Sequence, residues 1–196
     1  MPDSLRVPGF IAIGLVLLAY FMAESGRLLL ALVRRHRRPP QDHGTLPAIA
    51  ATFVFSEVAA FALLLFAPRL DFAGRWWAWQ LAGAACVVLG AAIRAAAVRA
   101  LGEAYSPVVT VTPGQSIVSG GPYRLVRHPA YSGALIMLAG GGLASGNAAG
   151  LAVCVLAPLV VLIARIRVEE RTLLAELGAT YGRYIQGRKR LMPFVW

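Results

Sequence analysis

The densest cluster of polar side chains lies in residues 121–133, between two apolar segments of the chain. This run, GPYRLVRHPAYSG, holds two arginines, one histidine and two tyrosines. Charged and hydrogen-bonding groups at a membrane boundary are costly unless they are solvated or paired, so a dense cluster of them indicates a functional site. The run is therefore the first candidate for the place where this protein does its chemistry.

A second charged cluster, residues 165–171, directly follows the last apolar segment. Within it Arg165 and Glu169 are four residues apart, so one face of a helix can present both side chains. The fork of an arginine matches a carboxylate with two parallel hydrogen bonds, and a glutamate can offset a positively charged ligand. Because the two clusters flank one hydrophobic hairpin, we expect a site between them at one membrane face.

The elements that must position these clusters are strongly apolar. Hydrophobic residues make up 58% of the 196-residue chain and charged residues only 14%, against about 25% charged residues in a soluble domain. A membrane-crossing helix needs roughly 20 mostly apolar residues. The segments that meet this test are residues 8–33, 46–66, 79–101 and 131–164.

The last of these segments is too long for one span, and the turn-forming residues Ser145, Gly146 and Asn147 interrupt it. It is therefore predicted to be a helical hairpin. The predicted fold is all-α, a polytopic integral membrane protein with about five transmembrane helices, the last two short.

Arginine and lysine are distributed unequally among the loops. Four arginines lie in residues 34–43 and two in residues 68–76, whereas residues 145–149 contain no basic residue and the tail from residue 165 contains seven. Basic loops face the cytoplasm, so the N-terminus is predicted outside and the C-terminus inside, with both charged clusters on the cytoplasmic face. The same distribution explains the formal charge of +10 without nucleic-acid binding.

Four stretches of the C-terminal half, residues 101–196, look familiar together: LGEAYS, SGGPYRLVRHPAYSG, RIRVEERTLLAELGATYGRY and the closing MPFVW. In this combination and spacing they resemble the isoprenylcysteine carboxyl methyltransferase family and its phospholipid methyltransferase-like relatives. The resemblance implies one membrane domain over residues 1–196, with three N-terminal helices in residues 1–101 and a cofactor-binding catalytic half in residues 102–196. It also implies methyl transfer from S-adenosylmethionine to the carboxylate of a prenyl-cysteine-like or other lipophilic acceptor.

The resemblance carries site residues over by position, because in that family the loop before GPY and the RHPAY run wrap the cofactor. The implied cofactor-binding residues are Thr110, Gln115, Ser116, Ile117, Val118, Tyr123, His128, Pro129, Ala130, Tyr131 and Glu169. Arg165 is implied to bind the carboxylate that is methylated. Arg165 and Glu169 are thus the predicted catalytic pair.

Residue chemistry is compatible with these roles. Tyr123 and Tyr131 can offer aromatic faces to an adenine or a cation, and His128 or Arg127 can donate a hydrogen bond to the carboxylate of the cofactor. A carboxylate acceptor is already ionised at neutral pH and needs no general base. It needs a cation to orient it, which is the role predicted for Arg165.

Each motif also has a purely structural explanation. Arg124 and Arg127 are compatible with snorkelling at a cytoplasmic helix start. His128 and Pro129 are compatible with the first turn of a helix, and residues 169–171 with a solvated helical face. It is the joint spacing of the motifs that favours a functional site.

A few charged residues fall inside the predicted spans. Glu24 and Arg27 are expected to pair with each other in the first helix. Glu57 lies in the middle of the second helix and needs a partner such as a tyrosine or an arginine, and Arg94 lies near the inner end of the third. Structural pairing is the favoured explanation for all of them.

Two polar segments flank the predicted catalytic half. Residues 102–121 form the longest polar connection and are expected to be an ordered, lid-like loop. On the tail, Tyr181, Tyr184, Arg188 and Trp196 are expected to pack the last helix against the membrane interface. A tail that closes over the cofactor is the alternative.

Other functions remain open from the sequence. N-methylation of a lipid amine would need a general base, and Glu57 and Glu170 are the candidates. Membrane sterol reductases with a nicotinamide cofactor share the R-H-P-x-Y pattern, although this chain is shorter than they are. A channel or transporter would predict inverted repeats, which the sequence lacks.

The expected partners are a lipophilic small-molecule or lipid substrate and the surrounding membrane lipid, with no nucleic acid and no metal. Cys86 and Cys154 lie in apolar segments and predict neither a disulfide nor a metal site. The charge pattern and the Ala/Arg-rich composition favour a bacterial inner membrane. The identity of the acceptor is not encoded in any of these patterns.

Overall fold

A computed structural model of the chain describes residues 7–20, 45–105 and 117–192. These residues form five α-helices, which we number in chain order: α1 Val7–Tyr20, α2 Thr45–Phe66, α3 Trp76–Leu101, α4 Pro129–Ala144 and α5 Ala148–Ile185. Short 3₁₀ helices lie at Pro68–Leu70, Gly102–Ala104 and Gly121–Arg124. The described ranges contain no β-sheet, and the all-α class predicted from the sequence is confirmed.

The helices agree with the predicted membrane segments. α2, α3 and α5 are long and apolar enough to cross a membrane, and α1 and α4 are shorter apolar helices. α2 and α3 begin one and three residues before their predicted starts and end at the predicted residues. For the first predicted segment, residues 21–33 lie outside the described part of the chain, and so does the predicted pair Glu24 and Arg27.

The outer surface of the bundle is apolar. Large hydrophobic side chains on α2, α3 and α5 are more than half exposed, including Phe55, Val58, Phe66, Leu81, Val88 and Val160. A water-soluble domain rarely exposes so large a contiguous apolar surface. These side chains would contact lipid, and the chain is an integral membrane protein.

The predicted break between the last two helices is present and has a clear local cause. Gly146 adopts a positive φ of 66°, which glycine adopts without steric cost. Asn147 caps α5, because its side-chain oxygen accepts hydrogen bonds from the backbone N–H groups of Ala149 and Gly150. Its side-chain nitrogen donates to the Ala67 carbonyl and thereby ties the turn to the end of α2.

The last helix extends beyond its apolar part, as the helical spacing of Arg165 and Glu169 predicted. The apolar part was expected to end at residue 164, and α5 continues through the charged cluster to Ile185, with a kink at Gly178 where φ is 51°. Residues 165–177 contain no glycine or proline and are rich in good helix formers, so nothing ends the helix at the membrane boundary. We refer to residues 165–185 as the stem of α5.

α3 and α4 pack against each other through glycines. A Cβ atom at Gly90 would lie 2.5 Å from the Gly133 carbonyl oxygen, and one at Gly83 would lie 2.5 Å from the Gly140 carbonyl oxygen. Small residues at such positions let two backbones approach closely inside a membrane. This contact holds the first turn of α4, which carries the RHPAY run (residues 127–131), against α3.

Candidate active site

The RHPAY run forms the start of α4. His128 is the N-cap residue and Pro129 occupies the first turn, where the missing N–H of proline costs nothing. Just before it, Tyr123 is buried together with Ala97 of α3 and Ala130, and Val118 packs against this cluster. This cluster packs the start of α4, the 3₁₀ helix at Gly121–Arg124 and α3 together on one side of the candidate site.

The α4–α5 hairpin brings the two charged clusters together. The Tyr131 hydroxyl donates a hydrogen bond of 2.7 Å to Glu169 Oε2, and Arg165 Nε donates to the Tyr131 oxygen at 3.3 Å. Arg165 is only 2% exposed, whereas the Glu169 side chain is 28% exposed. The two predicted catalytic residues therefore lie one turn apart on the stem and are joined through Tyr131.

His128 lies between the two neighbouring glutamates of the stem. Its Nδ1 is 3.9 Å from Glu169 Oε1 and its Nε2 is 3.4 Å from Glu170 Oε1. The imidazole is buried and stacks on the Tyr131 ring, with ring centroids 5.6 Å apart. The donor and acceptor roles of the two nitrogens depend on the tautomer.

Glu170 is the most heavily engaged carboxylate of the site. Its Oε1 accepts from Arg127 Nη1 at 3.0 Å, and its Oε2 accepts from Arg190 Nε at 2.9 Å and lies 2.8 Å from Arg190 Nη2 in an ion pair. Burial alone would raise the pKa of Glu170, but hydrogen bonds from His128, Arg190 and Arg127 lower it to about 2. Glu170 is therefore ionised at neutral pH and is a poor candidate for a general base.

Arg127 serves the scaffold. Besides Glu170, its guanidinium donates to the carbonyl oxygens of Arg188 at 2.8 Å and Ile185 at 3.0 Å. All three contacts lie inside the protein, so Arg127 ties the RHPAY run to the stem and to the segment that follows it.

Arg94 of α3 joins the same region. Its Nη1 donates to the Ala130 carbonyl oxygen at 2.9 Å and its Nη2 donates to the Tyr105 hydroxyl at 3.3 Å. The sequence had favoured a structural ion pair for this arginine. Its position one helical turn after Gly90, on the face that packs against α4, was the available signal.

The tail also packs differently from the prediction. Tyr181 and Tyr184 are buried, and the Tyr184 hydroxyl donates to the Tyr123 carbonyl oxygen at 3.2 Å. The guanidinium of Arg188 lies over the Tyr184 ring at 4.7 Å. Tyr184 therefore fastens the stem to the 3₁₀ helix at Gly121–Arg124, and Tyr181 and Arg188 pack against its ring. Trp196 lies outside the described residues.

The remaining predicted site residues divide into two groups. Pro129 and Ala130 are buried at the start of α4, and Ile117 and Val118 are partly buried at the beginning of the described segment that leads to it. Three predicted residues lie outside the described part of the chain: Thr110, Gln115 and Ser116. So does the middle of the predicted lid-like loop, residues 106–116.

Glu57 is not part of this site. Among the described residues neither of its carboxylate oxygens has a hydrogen-bond partner, so the partner expected from the sequence is not found. A side chain added at Gly141 would collide with the Glu57 carboxylate. Gly141 is ten residues beyond Tyr131, which corresponds to about 15 Å along α4, so Glu57 is too distant to act at Tyr131.

Comparison with known proteins assigns the fold and the chemistry. Residues 79–180, just over half of the chain, match the family described as phospholipid methyltransferase (PEMT). A probable protein-S-isoprenylcysteine O-methyltransferase of Oryza sativa subsp. indica is 30% identical over 149 residues, 75% of each chain. Protein-S-isoprenylcysteine O-methyltransferase B of Arabidopsis thaliana is 26% identical over 163 residues, 78% of this chain and 82% of the relative.

The fold itself has a solved counterpart. The structure of the eukaryotic intramembrane Ras methyltransferase ICMT (isoprenylcysteine carboxyl methyltransferase) superposes with a TM-score of 0.68 at 23% sequence identity. The match covers 97% of this chain and 70% of the other. Fold and matches together define an integral membrane methyltransferase.

The chain belongs to the phospholipid methyltransferase family and, within it, to the isoprenylcysteine carboxyl methyltransferase-like proteins. The resemblance identified from the sequence motifs is thereby confirmed. Membership of this family sets aside two alternatives considered from the sequence, the nicotinamide-dependent reductase and the channel or transporter.

Proposed function

We propose that this enzyme transfers a methyl group from S-adenosylmethionine to the carboxylate of a prenyl-cysteine-like or other lipophilic acceptor that enters from the bilayer. The observation that carries the proposal is the linked set of Arg165, Tyr131 and Glu169 at the boundary between apolar span and charged stem. The relatives are named for methylation of an isoprenylcysteine, and we extend that acceptor class to this chain.

The residues present fit such a methyl donor. When bound, S-adenosylmethionine supplies a methyl carbon on a sulfonium, whose S–C bond breaks as the acceptor oxygen bonds that carbon, leaving S-adenosylhomocysteine and a methyl ester. Glu169 is partly exposed and its charge can offset the positive end of the donor. Tyr131 adds an aromatic face beside it, and His128 can donate to the donor's carboxylate.

Arg165 is suited to the acceptor. It is buried where the apolar span of α5 meets the stem, at the depth that a carboxylate on a membrane-embedded chain would reach. Its planar fork can hold that carboxylate with two hydrogen bonds and fix the attacking oxygen. Tyr131 contacts both Arg165 and Glu169, so it sets the distance between acceptor and donor. Such positioning can supply roughly 7–11 kcal/mol of the barrier to methyl transfer.

The competing acceptor is a lipid amine, because the matching family is described as phospholipid methyltransferase. An ammonium must lose a proton before it attacks, and neither sequence-derived candidate for the base suits the role. Glu170 is occupied by Arg127, His128 and Arg190, and Glu57 lies about 15 Å away along the bundle. A carboxylate acceptor needs no base and is favoured for that reason.

The same proposal places the site on the cytoplasmic side, with the N-terminus outside and the C-terminus inside, because arginine-rich loops alternate with arginine-poor ones. A soluble donor would then reach the stem directly from the cytoplasm. The bacterial inner membrane stays a prediction from composition, since the matched relatives are plant proteins.

The acceptor class can be tested with purified enzyme in nanodiscs and a donor carrying a labelled methyl group. We expect label on an S-farnesyl cysteine derivative with a free carboxylate, and none on the matched carboxamide. A methyl ester releases its label as methanol in mild base, whereas an N-methyl group does not. Base-stable label on phosphatidylethanolamine, with none on the farnesyl compound, would replace the carboxylate acceptor by the amine.

A further inference from the structure

The segment after α5 turns back and lies along the RHPAY run. The turn is made at Gly187, where φ is 76°, a conformation open to glycine. Beyond it the backbone N–H groups of Arg127 and His128 donate to the carbonyls of Lys189 at 2.8 Å and Arg190 at 3.0 Å. We call residues 188–191 the C-terminal strap.

Side chains reinforce this backbone pairing. The Ser132 hydroxyl donates to the Leu191 carbonyl oxygen at 2.6 Å, and Leu191 is buried. The guanidinium of Arg127 reaches the Arg188 carbonyl oxygen from the other side. The strap is therefore packed directly against the RHPAY run.

Glu170 is the point where the strap, the RHPAY run and the stem meet. One of its oxygens accepts from Arg127 and faces His128, both in the run. The other accepts a hydrogen bond from Arg190 Nε and forms an ion pair with the same guanidinium, in the strap. The side chain is 8% exposed, so these charge-assisted hydrogen bonds are shielded from water and stronger than surface pairs. Without Glu170, the two arginines would face one another as uncompensated cations.

The adjacent residues Glu169 and Glu170 thus contact different partners. Successive residues on a helix point about 100° apart, so Glu169 turns to Tyr131 while Glu170 turns to the strap. Glu169 lies next to the residues that would touch donor and acceptor. Glu170 contacts His128 directly and would act on the donor only through it.

We propose that Glu170 is a positioning residue, which locks the C-terminal strap onto the RHPAY run and so holds His128 and Tyr131 in place for the methyl donor. The proposal rests on the function proposed above, since it assigns the donor to His128, Tyr131 and Glu169. It makes residues 188–191 a support of the donor site, which develops the alternative, stated from the sequence, of a tail that closes over the cofactor.

The first test needs no ligand. In Glu170→Gln the side chain keeps its size and loses its charge, and we expect faster amide hydrogen exchange in peptides covering residues 126–132 and 187–192. The matched control is Glu176→Gln, on an exposed position of the same stem, which should leave both peptides unchanged. Wild-type exchange in both peptides of Glu170→Gln would overturn the proposal.

The second test separates positioning from general loss of fold. A hydrogen bond to a charged group is worth about 1.5–3 kcal/mol, so Glu170→Gln should weaken binding of S-adenosylhomocysteine roughly 10- to 100-fold and raise the donor KM accordingly. A variant that merely unfolds in part would lose kcat in proportion to the folded fraction and keep its donor KM. That pattern would contradict positioning.

Arg190→Ala provides a second variant in case Glu170→Gln does not fold. It removes the side chain that joins the strap to Glu170 and leaves the contacts of Glu170 with Arg127 and His128 in place. We expect faster exchange in the strap peptide and a smaller loss of donor affinity. The double variant should be no worse than Glu170→Gln alone, because the two residues share one interaction. Additive losses would overturn the proposal.

If wild-type protein bound no S-adenosylhomocysteine, the proposed function would fail. The comparison of hydrogen exchange would still decide the role of Glu170.

Discussion

At the scale of single residues, the site is a short chain of contacts from a buried arginine to a partly exposed carboxylate. Arg165 donates to Tyr131, and Tyr131 donates to Glu169. Because Tyr131 contacts both, Arg165 and Glu169 lie close together, but their exposure to solvent differs. Arg165 is buried, whereas Glu169 is partly exposed.

Substitutions at Arg165 and Glu169 should therefore fail in different ways. Arg165→Ala should leave binding of S-adenosylhomocysteine nearly intact and cut turnover strongly, because truncating one partner of a desolvated charge pair costs about 2–5 kcal/mol. Glu169→Gln should weaken donor binding itself. Calorimetry for binding and a labelled-methyl assay for turnover distinguish the two.

Arg165→Lys serves as the control for charge alone and should recover little activity, because an ammonium does not replace a planar fork. Loss of donor binding in Arg165→Ala, with normal turnover at saturating donor, would reverse the assigned roles. Near-wild-type activity in all three variants would mean that neither Arg165 nor Glu169 takes part in methyl transfer.

At the scale of helices, the site depends on how closely α3 and α4 approach. Gly90 and Gly133 bring the two backbones together, and only at this distance can Arg94 donate to the Ala130 carbonyl oxygen. The glycine contact thus anchors the first turn of α4, which carries His128 and Tyr131. The packing of α3 against α4 therefore determines where the side chains at the start of α4 lie.

Gly133→Ala should loosen this contact. Its Cβ would lie 2.6 Å from the Gly90 carbonyl oxygen and 2.8 Å from the Arg94 backbone nitrogen, and overpacking of this kind costs about 1–3 kcal/mol. We expect a lower unfolding temperature in detergent and weaker donor binding. Gly182→Ala is the matched control, since nothing lies within 4 Å of a Cβ there. Equal unfolding temperatures for the two variants would contradict a tight α3–α4 contact.

At the scale of the whole molecule, an apolar bundle carries its two charged clusters, residues 121–133 and 165–171, at one end. The RHPAY run, the stem and the strap meet there, while the opposite end holds the turn at residues 145–149, which has no basic residue. The distribution of arginine predicts which end faces the cytoplasm. A soluble donor and a membrane-embedded acceptor can meet only at such a boundary.

Reporter fusions test this orientation. A fusion after Trp196 should be active with a reporter that works in the cytoplasm, and one inserted in residues 145–149 should be active with a reporter that works only outside. The second fusion is the internal control, because the two ends of α5 must lie on opposite sides. A C-terminal fusion active only outside would invert the predicted topology.

Patterns within the sequence were enough for the helices and for part of the site. Runs of about 20 apolar residues predict spans whatever their neighbours are, and Gly146 with Asn147 ends a helix through local backbone chemistry. The i, i+4 spacing of Arg165 and Glu169 likewise follows from helix geometry alone. Each of these features depends on residues that are close in the chain.

Tertiary structure decided which side chains of the candidate site contact one another. Arg127 and Glu170 are 43 positions apart, and no local pattern indicates that they pair or that Arg190 joins them. The same holds for Arg94, which reaches Ala130 only because the glycines of α3 and α4 meet. The neighbouring glutamates look equivalent in the sequence, and they acquire different partners because the fold brings Tyr131 to one side of the stem and the strap to the other.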